Sequence, residues 1–294
     1  MKKLKDNYHF YAWITISAWA TSFIFTRLAL REIDYTTLGL LRNGIAFVTL
    51  VILILLFRIT KPQKSDLPQF FFAGIIGFFI YIIVFNKGVT SVTAATSSVI
   101  LATVPILTAL VARIFLREKL KNYQWIAIVI EFVGILILSS HKGHLEFNRG
   151  IFWLLLSALL FSFYNIIQKR LTKDYNAYTV SAFSILLGTL PAFIILPTRI
   201  PQIVSLTPIT FLAILSLGIA SSSIAYITWT KAFSLAKNTS QVSNYMFITP
   251  ILTTILGVKL IHEIPDLSFS VGACVIFSGL VLFNRGHIIF HKRN

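Results

Sequence analysis

Ten uninterrupted apolar stretches, each long enough to cross a lipid bilayer, constrain this chain more than anything else in it. They occupy residues 10–30, 36–57, 70–86, 94–115, 123–140, 151–168, 178–196, 211–230, 242–260 and 269–284, and a hydrocarbon core of about 30 Å is spanned by an apolar helix of roughly 17–25 residues. Backbone in hydrocarbon must satisfy its own polar groups, so each stretch reads as an α-helix. With 56% hydrophobic and 12% charged residues among 294, almost no chain is left for a soluble domain. The expected fold class is an all-α membrane protein of ten transmembrane helices. The basic start Met1-Lys2-Lys3-Leu4-Lys5 resembles that of a secretory signal, but the apolar run after it is too long and lacks a small-residue cleavage pattern; a retained first helix is expected. The single cysteine, Cys274, falls in mid-stretch and reads as a small packing residue.

The net charge of +16 has to be read loop by loop. With the N-terminus in the cytoplasm, most of the 26 basic residues fall on cytoplasmic ends and loops, among them Arg58, Lys61 and Lys64, then Arg113 to Lys121, Lys169 to Lys173, and Lys292 and Arg293. That bias predicts both termini inside and an even number of spans, in the cytoplasmic (inner) membrane of a bacterium. Basic charge spread over short loops is what this rule requires, so no nucleic acid is expected as partner.

Internal repetition organises the stretches. One constant offset places Ser98 on Ser243, Pro105 on Pro250, Ile106 on Ile251, Leu107 on Leu252, Thr108 on Thr253 and Glu118 on Glu263. A second places Trp13 on Trp153, Ser17 on Ser157, Ala18 on Ala158, Ser22 on Ser162 and Phe23 on Phe163. The chain therefore reads as two repeats, residues 1–140 and 150–284, joined by the polar linker 141–149. Five spans per half force the second half to enter from the opposite side. Inverted repeats of this kind place a solute site near the bilayer midplane and let it open alternately to either face.

Two five-helix repeats, each with a central proline and a glutamate thirteen residues later, resemble the EamA-type members of the drug/metabolite transporter superfamily. The resemblance covers nearly the whole chain and includes the arginine early in the second helix, Leu41-Arg42-Asn43, and the helix ends Lys87-Gly88 and Lys231-Ala232. It implies a ten-helix basket, a central cavity lined by the first, third, fourth, sixth, eighth and ninth helices, and transport of small metabolites. The residue usual in that family at the position of Glu131 is apolar or small.

Candidate cavity residues follow from polar and aromatic side chains at helical spacing. The sixth stretch offers Phe161, Tyr164, Asn165 and Gln168; the ninth offers Gln241, Asn244 and Tyr245; the eighth offers Tyr226 and Trp229; the third offers Tyr81 and Phe85. Thr96 and Thr103 are the repeat counterparts of the ninth-stretch residues and are less polar, so the hydrogen-bonding wall is expected from the second half. Aromatic walls with a few amides suit an organic solute such as an amino acid, an amine or a related zwitterion. The same side chains also serve as interhelical glue. Pro105 and Pro250 remove a backbone donor at matching points and are candidate hinges. Glu131 is the one acid deep within a stretch; its burial requires a neutral form or a partner, with Arg27, Arg42 and Lys87 as candidates, and a proton-coupling role is possible for it on chemical grounds.

An intramembrane enzyme is disfavoured because all six histidines lie at or beyond helix ends and neither an HExxH nor a GxSxG pattern occurs. No phosphate-binding loop occurs, so a carrier of this kind draws on a gradient. A channel calls for a continuous polar pore lining, which the clustered polar groups do not offer. The expectation is a secondary carrier, a monomer or homodimer, whose partners are a small-molecule solute and the bilayer, with no cofactor and no metal.

Overall fold

The computed structural model describes residues 7–115, 120–138, 140–141, 144–145, 148–199, 206–236, 242 and 244–291. Helices fall on every stretch read from the sequence. We label them α1 (Tyr8–Ala29), α2 (Tyr35–Phe57), α3 (Leu67–Gly74, continued through Ile75–Ile80 and Tyr81–Val89), α4 (Ala94–Leu101 and Val104–Phe115) and α5 (Asn122–Leu138). The second half contributes α6 (Arg149–Leu171), α7 (Ala177–Thr189, extended by Ala192–Ile195), α8 (Pro208–Ser216, Leu217–Ile224 and Ala225–Leu235), α9 (Thr249–Ile261, entered through the 3-10 turn Asn244–Ile248) and α10 (Leu267–His291). Two residue pairs of the linker, Ser140–His141 and His144–Leu145, form a minimal antiparallel ladder. Six of these segments are by length and composition apolar enough to cross a membrane, and three shorter apolar helices accompany them.

Local chemistry sets the starts of these helices. Asn7, Asp34, Thr93, Asn148, Asn176 and Thr207 each precede a helix and accept a hydrogen bond from a first-turn backbone N–H, supplying the partner that the first turn lacks. The flanks of the bundle are apolar and uncovered, as Leu55, Ile114, Val129 and Ile194 illustrate, while its interior holds Thr15, Asn43, Ser157, Ser181 and Ser222. This arrangement, apolar outside and hydroxyl-rich inside, fits lipid as the surrounding medium. The protein is a multi-pass membrane protein.

Packing runs across the two halves. α1 lies along α8 and α9, while α6 lies along α3 and α4; α3 crosses α7, while α8 crosses α2; and α5 and α10 pair with each other at the edge. The α3–α7 crossing is a backbone-to-backbone contact, since a Cβ added to Gly74 would stand 1.8 Å from the Ser184 carbonyl oxygen and one on Gly188 would stand 2.2 Å from the Gly74 carbonyl carbon. At α8–α2 the corresponding space is filled by Ile45, 2.4 Å from a Cβ on Gly218.

Three features depart from regular helices, and the sequence pattern did not predict them. Both α3 and α8 contain π-helical turns, over Ile75–Ile80 and Leu217–Ile224. Such turns often mark functional sites. α4 breaks at Ala102 and Thr103, and α9 begins only after its 3-10 turn. As a result Pro105 and Pro250, expected within continuous helices, each occupy the second position of a restarted helix. A first-turn proline has no helical hydrogen bond to lose; the bend is made by the break before it.

Replacing Gly74 by Ala should drive α3 and α7 apart at a cost of about 1–3 kcal/mol or more. Gly257, whose added Cβ would meet only Ile24 Cδ1 at 3.7 Å, provides the control. In detergent, the melting temperature should fall clearly for Gly74→Ala and hold for Gly257→Ala.

Candidate functional site

About halfway along the helices a narrow cavity of about 30 Å³ lies between the halves. α1 contributes Trp19, Ser22 and Phe23, residues one helical turn apart on a single face. Tyr81 and Phe85 face it from α3, just past the π turn, and Ser98, Leu101 and Ala102 from α4, just before the break. From the second half come Phe161 of α6, Tyr226 of α8 and the pair Met246 and Thr249 at the entry to α9. Seven helices line it in all, because Arg42 of α2 also reaches in.

The aromatic residues form one connected wall. The Trp19 ring stands 5.8 Å from Phe161 and 5.8 Å from Tyr226, and Tyr81 stands 5.1 Å from Phe161. Edge-to-face geometry dominates, the arrangement that ring quadrupoles favour. The same side chains satisfy carbonyls near the π turns: the Trp19 indole N–H donates to the Ser221 carbonyl at 3.2 Å, and the Tyr226 hydroxyl to the Gly77 carbonyl at 3.4 Å. Helix irregularity and cavity wall are thus one construction.

Of the residues expected from sequence at the cavity, Tyr81, Phe85, Phe161 and Tyr226 line it. Others lie beside it in helix contacts. Gln168 donates to the Tyr164 hydroxyl at 3.0 Å and also to Thr230, whose hydroxyl meets Ser181 at 2.6 Å. Asn165 donates to Thr108 at 3.4 Å, between α6 and α4. Trp229 is buried against Trp19 with ring centroids 5.0 Å apart. Thr96 donates its backbone N–H to Thr93, and the Thr103 hydroxyl donates to the Ile100 carbonyl at 2.6 Å. Tyr245 meets His9 and Trp13 at the end of the bundle where α1 begins. Gln241 lies outside the described residues, as does the side chain of Asn244.

The ninth-stretch expectation assumed α-helical spacing. Through the 3-10 turn the repeat is three residues, and Met246 and Thr249, rather than the expected Tyr245, line the cavity. Polar cavity groups come from both halves, with Ser22, Arg42, Tyr81 and Ser98 in the first. Gln168 bonds to Thr230 of α8 and Asn165 to Thr108 of α4, and neither amide is among the residues that line the cavity. Trp19, Ser22 and Phe23 did share a helical face in sequence, yet an aromatic and small-residue stripe reads equally as packing.

Arg27, Arg42 and Lys87 are not partners of Glu131. Arg27 pairs with Glu263 at 2.9 Å, Arg42 donates to Ser222 at 2.6 Å, and the Lys87 ammonium sits 3.9 Å over the Trp153 ring. Glu131 is buried in the α5–α10 seam, where a Cβ on Gly279 would come within 2.8 Å of its Cγ, and its Oε1 has no hydrogen-bond partner among the described residues. The edge pairing of α5 with α10 holds it away from all three cations.

At the far end of the bundle Glu263 ties four helices together. It accepts from Arg27 at the end of α1 and from the Ala94 N–H at the start of α4 at 2.8 Å, and Arg27 also donates to the Val89 carbonyl of α3 at 2.9 Å. Beside it, Glu32 joins the α1–α2 turn to α8 through Thr207 and Thr210, whose hydrogen bonds hold its carboxyl below the usual carboxylate range.

The EamA-like transporter family model matches the chain twice, at residues 7–140 and 148–285. The chain belongs to this family. Among similar proteins, an uncharacterized transporter, YdfC, of Bacillus subtilis (strain 168) is 28% identical over 268 residues, covering 91% of this chain and 87% of the relative. A probable terminal-alkyne amino-acid exporter of Streptantibioticus cattleyicolor is 24% identical, covering 92% and 91%. The S-adenosylmethionine uptake transporter of Rickettsia conorii is 28% identical over 191 residues, 64% and 62% of the two chains. A solved crystal structure superposes with a TM-score of 0.65 at 18% identity, over 94% of each chain.

Substituting Gln168 by Leu leaves Tyr164 and Thr230 without their amide donor, a loss of about 1–3 kcal/mol for buried groups. Its expected signature is a lower melting temperature of the solute-free protein.

Proposed function

We propose that the protein is a secondary carrier that moves a small organic metabolite across the cytoplasmic membrane of a bacterium by alternating access. In this reading the ten helices all span the bilayer as two inverted five-helix repeats, residues 1–140 and 150–284, with both termini cytoplasmic. The observation that carries it is the narrow cavity at the meeting of the halves, halfway along the helices. Support for the inversion comes from packing that persists when the halves are exchanged: α1 on α8 and α9 against α6 on α3 and α4, and α3 on α7 against α8 on α2. Matching π turns and matching restarts at Pro105 and Pro250 add to it.

The Arg27–Glu263 pair closes α1, α3, α4 and α9 at one end, which in this topology is the outer face. A closed end over a midplane cavity suits a carrier between openings and not an open pore. The breaks before Pro105 and Pro250 are the hinges of the proposal, since a helix interrupted there bends without breaking further hydrogen bonds. Substrate contacts are assigned to Tyr81, Phe85, Phe161 and Tyr226. An amino-acid exporter and an S-adenosylmethionine transporter among the relatives support a metabolite with polar and cationic groups, which aromatic faces accommodate.

Purified protein in liposomes should show saturable counterflow of such a metabolite and no single-channel current in planar bilayers. Phe161→Ala should reduce counterflow at least about tenfold, the equivalent of roughly 1.4 kcal/mol; unitary currents would instead establish a channel. Glu131, the one acid deep within a span, is the proposed coupling carboxyl. Glu131→Gln should keep counterflow while removing the dependence of net uptake on an imposed pH gradient, and an unchanged dependence would remove Glu131 from the coupling path.

A further inference from the structure

Arg42 is the charged residue among those that line the cavity. It extends from α2 into the space between the halves, is 3% exposed, and lies about two turns inside the start of its helix. Its Nε donates to the Ser222 hydroxyl at 2.6 Å, which fixes the plane of the guanidinium. Its Nη1 is buried and has no hydrogen-bond partner among the described residues. On the same cavity wall the Thr249 hydroxyl is also buried and unpartnered. Two orphaned polar groups facing one cavity form a built site, because each incurs a desolvation penalty that a ligand atom would relieve.

The sign of that ligand follows from the location of the acids. The chain has 10. Asp6, Glu118 and Glu146 lie outside the described residues and outside the apolar stretches. Glu32 accepts from Thr207 and Thr210, Asp34 caps α2, Asp66 accepts from Tyr175, and Glu263 pairs with Arg27. Asp174 and Asp266 lie at helix ends, and Glu131 is in the α5–α10 seam. None of the described acids lines the cavity. A guanidinium in such a place is a large uncompensated cost unless an anion joins it.

We infer that the solute carries a carboxylate and that Arg42 is its anchor, with the Thr249 hydroxyl as a second donor. This deepens the carrier reading and rests on it. Among the described residues one cation, Arg42, lines the cavity, which matches a monoanion and disfavours a phosphate with two charges. A solute amine would rest on the rings of Trp19, Tyr81 and Phe161, which attract cations without a carboxylate partner. The site therefore takes an organic acid or a zwitterionic amino acid, and it discriminates against the plain amine because Arg42 would then stay unmatched and repel it. Ser222 is a positioning residue, acting through the orientation of Arg42.

The test uses the whole protein in nanodiscs and titrates three matched series by thermal stabilisation: the apolar and aromatic L-amino acids, the amines formed by their decarboxylation, and the corresponding acids lacking the amino group, such as 3-phenylpropionate. Acids and amino acids should bind at least tenfold more tightly than their amines. Arg42→Gln should remove that preference, Arg42→Lys should retain it, and Thr249→Val should weaken the acids several-fold while leaving the amines unmoved. The melting temperature of each solute-free variant reports folding; should Arg42→Gln not fold, Arg42→Lys and Thr249→Val carry the decision. Amines binding as tightly as acids, silence of every acid, or acid affinity indifferent to these substitutions would overturn the assignment. Counterflow in liposomes separates the two readings. Saturable exchange of an amine with none of an acid sinks the carboxylate anchor and keeps the carrier, whereas Arg42-dependent acid binding with no exchange of any solute keeps the anchor and sinks the carrier.

Discussion

Hydrocarbon offers no hydrogen bonds, so a polar group inside this bundle either finds a protein partner or remains costly. Most do find one. Thr15 meets Thr228 at 2.7 Å between α1 and α8, Ser221 donates to the Ala18 carbonyl at 2.9 Å, and Gln168 bridges Tyr164 and Thr230. These bonds join helices of opposite halves, or helices far apart in sequence, and they set how closely the helices pack. The few groups left over are informative for the same reason. Arg42 Nη1 and Thr249 Oγ1 remain unpartnered among the described residues, and both residues line the cavity between the halves.

Close approach of backbones makes that cavity possible. Where Gly74 meets Ser184 and Gly188, and where Gly218 receives Ile45, α3 and α8 are pinned against helices of the other half. Beyond each pinned point the helix widens into a π turn, and the added residue turns Tyr81 and Phe85 on one side and Tyr226 on the other toward the centre. Carbonyls near the widened turns are taken up by Trp19 and Tyr226. Pinning, widening and aromatic lining are consequences of one packing solution used twice.

Binding energy in such a site comes from few groups. The aromatic wall supplies apolar area and a negative ring face, while Arg42 supplies charge in a setting where screening is weak. The connection across the halves matters for transport. Arg42 belongs to α2 yet is held by Ser222 of α8, so the group proposed to meet the solute is itself shared by the two repeats. A solute joining it would bear on both halves at once, which is the coupling between occupancy and conformation that alternating access needs.

Apolar run lengths located the helices, since the length of an apolar run needs no knowledge of neighbours; the ends of α1 to α8 fall within about five residues of the stretches read from the chain, whereas α9 starts later than its stretch and α10 runs past the end of its own. Repetition of Pro105 and Pro250, and of Ser22 and Ser162, led to the two-repeat reading, and it too is visible in the chain without any knowledge of neighbours. Tyr81, Phe85, Phe161 and Tyr226 stand out in the sequence as aromatic residues at helical spacing and line the cavity in the structure, three of them just past the π turns. Assignment failed where regularity failed. The 3-10 turn moved the α9 face from Tyr245 to Thr249, and the α5–α10 pairing separated Glu131 from every cation proposed for it. Whether an amide meets a solute or a neighbouring helix, and whether Arg42 has a counter-ion, are questions about atoms that lie far apart in the chain. Those contacts exist only once the helices pack, and packing alone settled them.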